Sequence, residues 1–406
     1  MYQREAAKTI KDISETFRVL LVTGPRQVGK TTLLREYMPK DMNYVTLDDK
    51  TLRLQAQKDP KLFLEEHPWP VLIDEVQYAP ELFPYIKIKV DEEQKRGMYW
   101  LTGSQQFKLM KNVNESLAGR VGIVNLNSFT YSEINKNTNK AVFNPDNIIM
   151  NTRCVDVNEL YETIFKGGMP ELYNIPNMKK SHYFESYVET YLARDIKEQL
   201  DIKDIPTFKR FMVAVASRNG EQLNYSNISS EIGINDKTVK TWLDVLVTSG
   251  IVYLLPPYMS SKVKMLTHMP KIIFMDSGLA SYLAGWDSAR DLQLSSISGH
   301  YLETYIISEI IKSYNAIGET PNISYYRDKN KNEIDLIFNK NNKLYPFEIK
   351  KTAMPNKEMI KNFELLNTSG KEVAPGGIIC LYENLMRIDE KNYIIPVSCV
   401  INQEKQ

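Results

Sequence analysis

Several short runs in the first third of the chain are apolar almost from end to end: VLLVT (19–23), the run between Pro70 and the acids Asp74 and Glu75, and MYWLT at the start of 98–104. The run bounded by Pro70 and the two acids, apolar without alternation, fits a central strand of a parallel sheet. YVTL (44–47) and VGIVNL (121–126) add two further strand-like runs. Helix-friendly stretches lie between them: TTLLREYM, LFPYIKIKVDEEQKR, SQQFKLMK and ESLAG. This alternation predicts an α/β domain over 1–134, with a parallel sheet, helices on both faces and a ligand at the strand C-termini.

The pattern then changes. Residues 135–153 are Asn-rich and carry neither period, so they read as a boundary loop. In 180–200, Tyr183, Phe184, Tyr187, Val188, Tyr191 and Leu192 recur at helical spacing, which is a packing face. The GGMP turn that precedes it suits either a close backbone approach or a helix cap. From 226 to 254 a short helix, a Gly turn and an Asn235- or Asp236-capped helix with Val239, Trp242, Leu243 and Leu246 on one face lead into GIVYLL. That is a helix-turn-helix with a wing-like extension. Beyond 286, an amphipathic helix (299–316) is followed by the strand-like ISYYRD, NEIDLIF, KLYPFEIKK, GGIICLY and YIIPVS, with one helix between the third and fourth. The expected organisation is an α/β core (1–134), a boundary loop and helical segment (135–205), a winged-helix domain (206–285) and a mixed α/β domain (286–406).

Composition narrows the partners. The chain has 406 residues, 43% of them hydrophobic, and a net charge of +1 from 51 basic and 50 acidic side chains. Nucleic-acid binding would therefore depend on local patches. Cys154, Cys380 and Cys399 are unclustered, and the last two lie in apolar runs that read as buried thiols. The N-terminus reads as a mixed-charge amphipathic helix rather than a signal peptide, and no apolar run approaches the roughly 18 residues of a membrane span. A cytoplasmic protein without a membrane partner is the expectation.

The first chemistry-bearing motif is GPRQVGKT, which fits GxxxxGK[ST] and sits between a strand and a helix. Gly24, Pro25, Arg26, Gln27, Val28 and Gly29 would wrap phosphates with backbone N–H groups. Lys30 would reach the terminal phosphates, Thr31 would hold Mg²⁺, and Thr32 continues the helix N-terminus. At the end of a buried strand, Asp74 suits Mg²⁺ held through water and Glu75 suits activation of the attacking water. Ser104 or Gln105 fits a γ-phosphate sensor or, equally, a strand-to-helix cap. Arg120 fits a stabiliser of phosphoryl charge, in cis or from a neighbouring subunit, or a salt-bridged surface residue. Lys237 and Lys240 would open the recognition helix, and Lys262, Lys264 and Lys271 follow in the wing region, which makes 226–271 a candidate DNA contact; the alternative is a packing module.

In the C-terminal third, Glu348 and Lys350 share one strand face, Asp335 belongs to a neighbouring strand, and Glu303 lies on the helix. Asp335 and Glu348 sharing a divalent cation, Glu303 completing the shell and Lys350 positioning or deprotonating a water would suit Mg²⁺-assisted phosphodiester hydrolysis. A solvated face at a sheet edge is the alternative.

Taken in order, TGPRQVGKTTLL, VLIDEVQYAP, YWLTGSQQFKLM, ESLAGRV, GGMPE, YVETYLARDI, INDKTVKTWLDVL, IIFMDSGLASYL and EIDLIF…YPFEIKK resemble a family of bacterial and archaeal AAA+-type ATPases. The C-terminal region of that family is similar to restriction-endonuclease-like, PD-(D/E)XK-like domains. The resemblance spans roughly 20–352 and departs at the Asn-rich segment after 134. It implies a nucleoside-triphosphatase core using ATP and Mg²⁺, a winged-helix segment and a nuclease-like fold. It also implies Lys30 and Thr31 as phosphate and Mg²⁺ binders, Asp74 and Glu75 as hydrolysis residues, Ser104 as sensor, and Glu303, Asp335, Glu348 and Lys350 as a nuclease-like quartet. Three functions compete: a DNA-associated ATPase that cuts, with a homo-oligomer as a candidate assembly; an ATP-dependent switch with an inert C-terminal fold; and a P-loop phosphotransferase, which the water-activating Glu75 argues against.

Overall fold

The computed structural model describes residues 2–104, 109, 113, 115–137, 141–149, 154–191, 204–259 and 269–402. Gln105, most of SQQFKLMK, part of the Asn-rich segment, Leu192 with the rest of its helix, Lys262 and Lys264 lie outside the described residues. The chain divides into two compact units: residues 1–128 with 248–250 and 314–319, and the remainder.

The first unit is built on five strands, β1 (Val19–Thr23), β2 (Asn43–Thr46), β3 (Val71–Asp74), β4 (Tyr99–Thr102) and β5 (Val121–Asn125). All pair in parallel, in the order β2-β3-β4-β1-β5. The runs without alternation take the three inner places: every residue of β1, β3 and β4 is buried, while β2 and β5 form the partly exposed edges. Around the sheet run α1 (Ala7–Thr16), α2 (Lys30–Tyr37), α3 (Lys50–Lys58), α4 (Pro60–Glu66) and α5 (Leu82–Glu93). Local chemistry sets their starts. The Asp49 carboxylate accepts from the amides of Thr51 and Leu52, and Asp59 caps α4, whose first residue is proline. Phe63, Phe83, Ile86 and Val90 pack from these helices onto Val19, Leu21, Ile73 and Leu101, closing one core. A parallel sheet brings all its strand C-termini to one edge, which is where the glycine-rich loop and the Asp74–Glu75 pair emerge.

In the second unit, α6 (Ile205–Ala216), α7 (Tyr225–Ile232) and α8 (Asp236–Thr248) are followed by β6 (Val252–Leu255) and β7 (Lys271–Phe274), which pair antiparallel. Gly233 turns the chain at φ +75° between α7 and α8, and Asn235 caps α8 by accepting from the Thr238 amide at 2.8 Å. The rings of Phe208 and Phe211 pack on Trp242 at 5.0 and 5.5 Å between centroids, so the apolar face read for this helix is indeed its buried one.

The long helix α9 (Ser298–Ala316) precedes a mixed sheet of β8 (Ile323–Arg327), β9 (Glu333–Lys340), β10 (Lys343–Lys350), β11 (Glu372–Val373), β12 (Gly377–Cys380), β13 (Met386–Arg387) and β14 (Tyr393–Pro396). β8, β9 and β10 form an antiparallel meander, and β10, β12 and β14 run parallel. The helix expected between the third and fourth strands is a 3₁₀ helix, Lys357–Ser369, whose Ile360, Phe363 and Leu366 pack against Ile334, Ile337 and Ile378. Cys380 and Cys399 are buried and Cys154 is exposed.

Candidate functional site

The loop between β1 and α2 has a backbone that side chains would obstruct. Gly24 has φ +143°, and a Cβ there would lie 2.0 Å from the Leu126 carbonyl oxygen. Gly29 enters α2 at φ +89°. The buried Lys30 ammonium donates to the carbonyls of Gly24 at 3.0 Å and Pro25 at 2.7 Å, so the loop curls around its own lysine. From below, the Arg4 guanidinium donates to the carbonyls of Val28 and Asn127, each at 2.7 Å. Thr32, next after the magnesium-type threonine, is exposed in the first turn of α2.

Asp74 ends β3 facing this loop. The Thr31 hydroxyl lies 3.0 and 3.1 Å from its two oxygens, and the Tyr44 hydroxyl of β2 lies 3.2 Å from the second. Burial and the neighbouring Glu75 carboxylate push its pKa up, although the two hydroxyls oppose the shift. A carboxylate partnered by hydroxyls is the hard oxygen donor set that suits Mg²⁺. Glu75 turns out of the strand in the left-handed region, φ +54°, an unfavourable conformation for a non-glycine residue. Its carboxylate accepts from the Gln77 amide and lies 3.4 Å from the Ser104 hydroxyl. The buried Thr23 and Thr102 hydroxyls and the Gln77 amide oxygen, all at this edge, have no hydrogen-bond partner among the described residues. A polar lining short of partners fits a site that takes a polar ligand.

Arg120 is not part of this constellation. It directly precedes Val121, which aligns with Val19 and Tyr99 at the opposite, N-terminal end of the sheet. Five residues at roughly 3.3 Å each separate the two edges. There its Nε and Nη2 hold the two oxygens of Asp91 at 2.6 and 2.7 Å, and Arg18 adds a contact at 3.2 Å. A phosphate-stabilising role within the same subunit is thereby corrected to a salt bridge.

The second constellation lies on β9, β10 and α9. The Lys350 ammonium bridges Asp335 at 2.9 Å and Glu348 at 2.6 Å, and the Ile349 amide donates to Asp335 at 2.9 Å. Glu303 from α9 and Glu333 from the start of β9 approach the same place: one oxygen of each, with one of Asp335, falls within 4.8 Å of the others. The four residues read from the sequence therefore do converge. Burial, then Asp335, pushes the Glu348 carboxyl up to about 9, and burial pushes Glu303 up to about 7. Burial would raise Asp335 too, but Lys350, Lys271 and the Ile349 amide outweigh it and hold that carboxyl low. The two carboxyls of the pair are thus shifted in opposite directions, Asp335 down and Glu348 up. The second Glu348 oxygen is buried without a hydrogen-bond partner among the described residues.

Lys271 requires a second correction. It was expected in a solvent-facing wing with Lys262 and Lys264, yet it is 2% exposed. Its ammonium binds Glu303 at 2.6 Å and also pairs with Glu333. Lys237 and Lys240 do face solvent, from the first turns of α8. Glu333, Tyr44 and Gln77 escaped the sequence reading, as did the place of Lys271 in this cluster. The one available signal was that Lys271 opens the otherwise wholly apolar run KIIF.

Comparison with known proteins gives three adjoining matches. Residues 16–135 match the model described as "AAA domain", and 157–290 and 298–400 match two domains of unknown function (DUF8612 and DUF4143). An uncharacterized protein of Mycobacterium tuberculosis is 28% identical over 359 residues, covering 87% of this chain and 75% of that one. An uncharacterized protein of Haemophilus influenzae is 22% identical over 301 residues, covering 68% and 72%. Among solved structures, the Thermotoga maritima RuvB Holliday junction branch migration motor covers 63% of this chain and 90% of its own, at 17% identity and a TM-score of 0.31. A DNA replication initiation factor covers 57% and 69%, at 12% identity and 0.26. The glycine-rich loop, the parallel sheet and the AAA match together give the N-terminal unit the features of an AAA-type P-loop domain and support ATP binding there. No helix among the described residues is long and apolar enough to cross a membrane.

Proposed function

We propose that the protein hydrolyses ATP at the N-terminal site and uses the energy in work on nucleic acid. The observation that carries the ATPase reading is the apposition of Thr31 and Asp74 beside Lys30 at the mouth of the loop. Mg²⁺, when bound, would neutralise charge on the phosphates. Thr31, and Asp74 through water, would hold it; the loop amides and Lys30 would hold the phosphates; Ser104 would sense the terminal one. Glu75 would orient the attacking water and take its proton. Gln77 positions that carboxylate, so its hold must loosen as water enters. ADP and free inorganic phosphate, with no phosphorylated acceptor, are the products that separate this reading from a phosphotransferase. Glu75→Gln should retain ATP and stop release of phosphate; unchanged turnover would reject Glu75 as the base.

For the C-terminal domain we propose a nuclease-like site, supported by the bridging of Asp335 and Glu348 by Lys350. Asp335 and Glu348, with Glu303, would hold Mg²⁺. Lys350 would position the water that adds to a phosphodiester phosphorus as the bond to the leaving oxygen breaks. The exposed lysines of α8 would supply phosphate contacts to DNA, with β6 and β7 as a wing. Plasmid nicking in Mg²⁺ or Mn²⁺, with and without ATP and with Lys350→Ala as control, tests it. Absence of nicking under every condition would favour an ATP-dependent switch whose C-terminal fold recognises nucleic acid or protein without cutting.

A further inference from the structure

Where a carboxylate cluster would receive a divalent cation, this one receives an ammonium group from another module. Lys271 is the first residue of β7, which pairs with β6, and β6 follows α8. The lock therefore belongs to the helix-turn-helix segment, not to the sheet that carries Asp335 and Glu348. Its ammonium lies 5.3 Å from the centroid of the Tyr325 ring and ends between Glu303 and Glu333. Those two, with Asp335, are the three carboxylates whose oxygens lie close enough to share an ion. The position of β7 is fixed independently. Gln222 bridges to Lys271 through the backbone and donates from its side chain to the Tyr325 hydroxyl at 2.8 Å, while the Tyr325 amide donates to Pro256 at 3.0 Å. One feature of the cluster is left over: the second oxygen of Glu348 is buried and accepts no hydrogen bond among the described residues.

We propose that Lys271 is a built-in counter-cation that occupies the divalent-cation position of the C-terminal site and keeps it closed to metal. Removing the ammonium charge opens the position. This rests on the nuclease-like reading of Asp335 and Glu348, and it adds the regulation of that site. An ammonium and a Mn²⁺ ion cannot share one set of three carboxylate oxygens, because their charges repel and the oxygens within reach are too few for both.

The test is Mn²⁺ titration of the full chain without nucleotide, followed by electron paramagnetic resonance, on the wild type, Lys271→Met, Lys271→Arg and Lys271→Met with Asp335→Asn. Lys271→Met keeps much of the stem's volume and drops the charge. The expected result is one Asp335-dependent Mn²⁺ per chain in Lys271→Met, at least about 10-fold tighter than any in the wild type or in Lys271→Arg. A wild type that binds Asp335-dependent Mn²⁺ as tightly as Lys271→Met, or a folded Lys271→Met that binds none, overturns the proposal. Should Lys271→Met be unfolded without metal, Mn²⁺ should restore its cooperative thermal melt while leaving the Lys271→Arg melt unmoved; failure to restore it counts equally against the lock. Plasmid cleavage separates the two readings. Metal bound by Lys271→Met without cleavage leaves the lock standing and removes the nuclease. Equal cleavage by wild type and Lys271→Met does the reverse.

Discussion

The two carboxylate sites differ in what their acids already hold. Asp74 faces two hydroxyls, Thr31 and Tyr44, and its pKa rises with burial. Asp335 faces Lys350, with Lys271 close by, and its pKa is held low despite comparable burial. Hydroxyls satisfy a carboxylate without cancelling its charge, so Asp74 keeps its attraction for a cation. Ammonium groups satisfy and cancel together, so the C-terminal cluster is balanced as it stands. The same residue type on a buried strand thus keeps an uncancelled charge in one domain and is already compensated in the other, and the partners decide which.

The largest effect should come from the first site. Glu75→Gln should lower the rate of ATP hydrolysis by roughly 100-fold or more, the usual worth of a general base, while leaving ATP affinity within a few-fold. Lys30→Ala should weaken ATP binding by roughly 100-fold, since it deletes charge-assisted hydrogen bonds to the phosphates. Nucleotide binding by fluorescence and phosphate release by a coupled assay check both, and a Lys30→Ala chain that binds normally would erase the contrast between the sites.

Next comes the balanced site. Lys271→Ala in metal-free buffer should cost about 3–5 kcal/mol of stability, because it strands buried carboxylates rather than removing a pair. Chemical denaturation of the second unit reads this directly, and a loss below about 1 kcal/mol would show the ion pair to be incidental.

A pH dependence follows from Glu348. Its folded pKa, about 9, exceeds the ordinary 4.5, so the protonated carboxyl favours the folded state. The stability it contributes is complete below pH 4.5 and is lost as pH rises towards 9. Glu348→Gln, uncharged at every pH, should flatten the decline across that window. A wild-type stability that climbs from pH 5 to 9, unchanged by Glu348→Gln, would mean the carboxyl is ionised in the fold.

Smaller effects concern the surface. Lys237→Ala with Lys240→Ala should reduce the salt slope of DNA binding by about 1 to 2, as two phosphate contacts are lost. An unchanged slope would leave the helix-turn-helix as a packing module. Smallest of all, Arg120→Ala should leave the ATPase of an isolated subunit intact. Only if subunits pair so that Arg120 meets a neighbour's phosphates would mixing it with Glu75→Gln restore activity.

Sequence reading succeeded where the information is local. The apolar run before Asp74 marked β3 as a central strand, and four spaced residues marked the phosphate loop. Glu348 and Lys350 share a face because the strand period is two, and Asp335 lies one register step away across the β9–β10 ladder, where Phe347 pairs with Leu336. What stayed hidden was long-range pairing. Lys271 meets Glu303 and Glu333 only after the paired strands β6 and β7 pack beside Tyr325 of β8, and the apolar run KIIF signals burial without naming those partners. Arg120 was left open between a phosphate site and a salt bridge for a related reason: its neighbours in sequence suit either, and only the parallel topology puts the start of β5 at the far edge of the sheet. Tyr44 reaches Asp74 diagonally across the β2–β3 ladder, a contact that follows from register and not from residue type.

The contrast between the sites is tested most directly by counting Mn²⁺ ions on the wild-type chain in saturating ATP under conditions that prevent turnover. One ion per chain, lost in Thr31→Ala and unaffected by Asp335→Asn, is the result this account predicts. Two ions per chain, the second removed by Asp335→Asn, would show that the C-terminal carboxylates admit metal with Lys271 in place, and would contradict it.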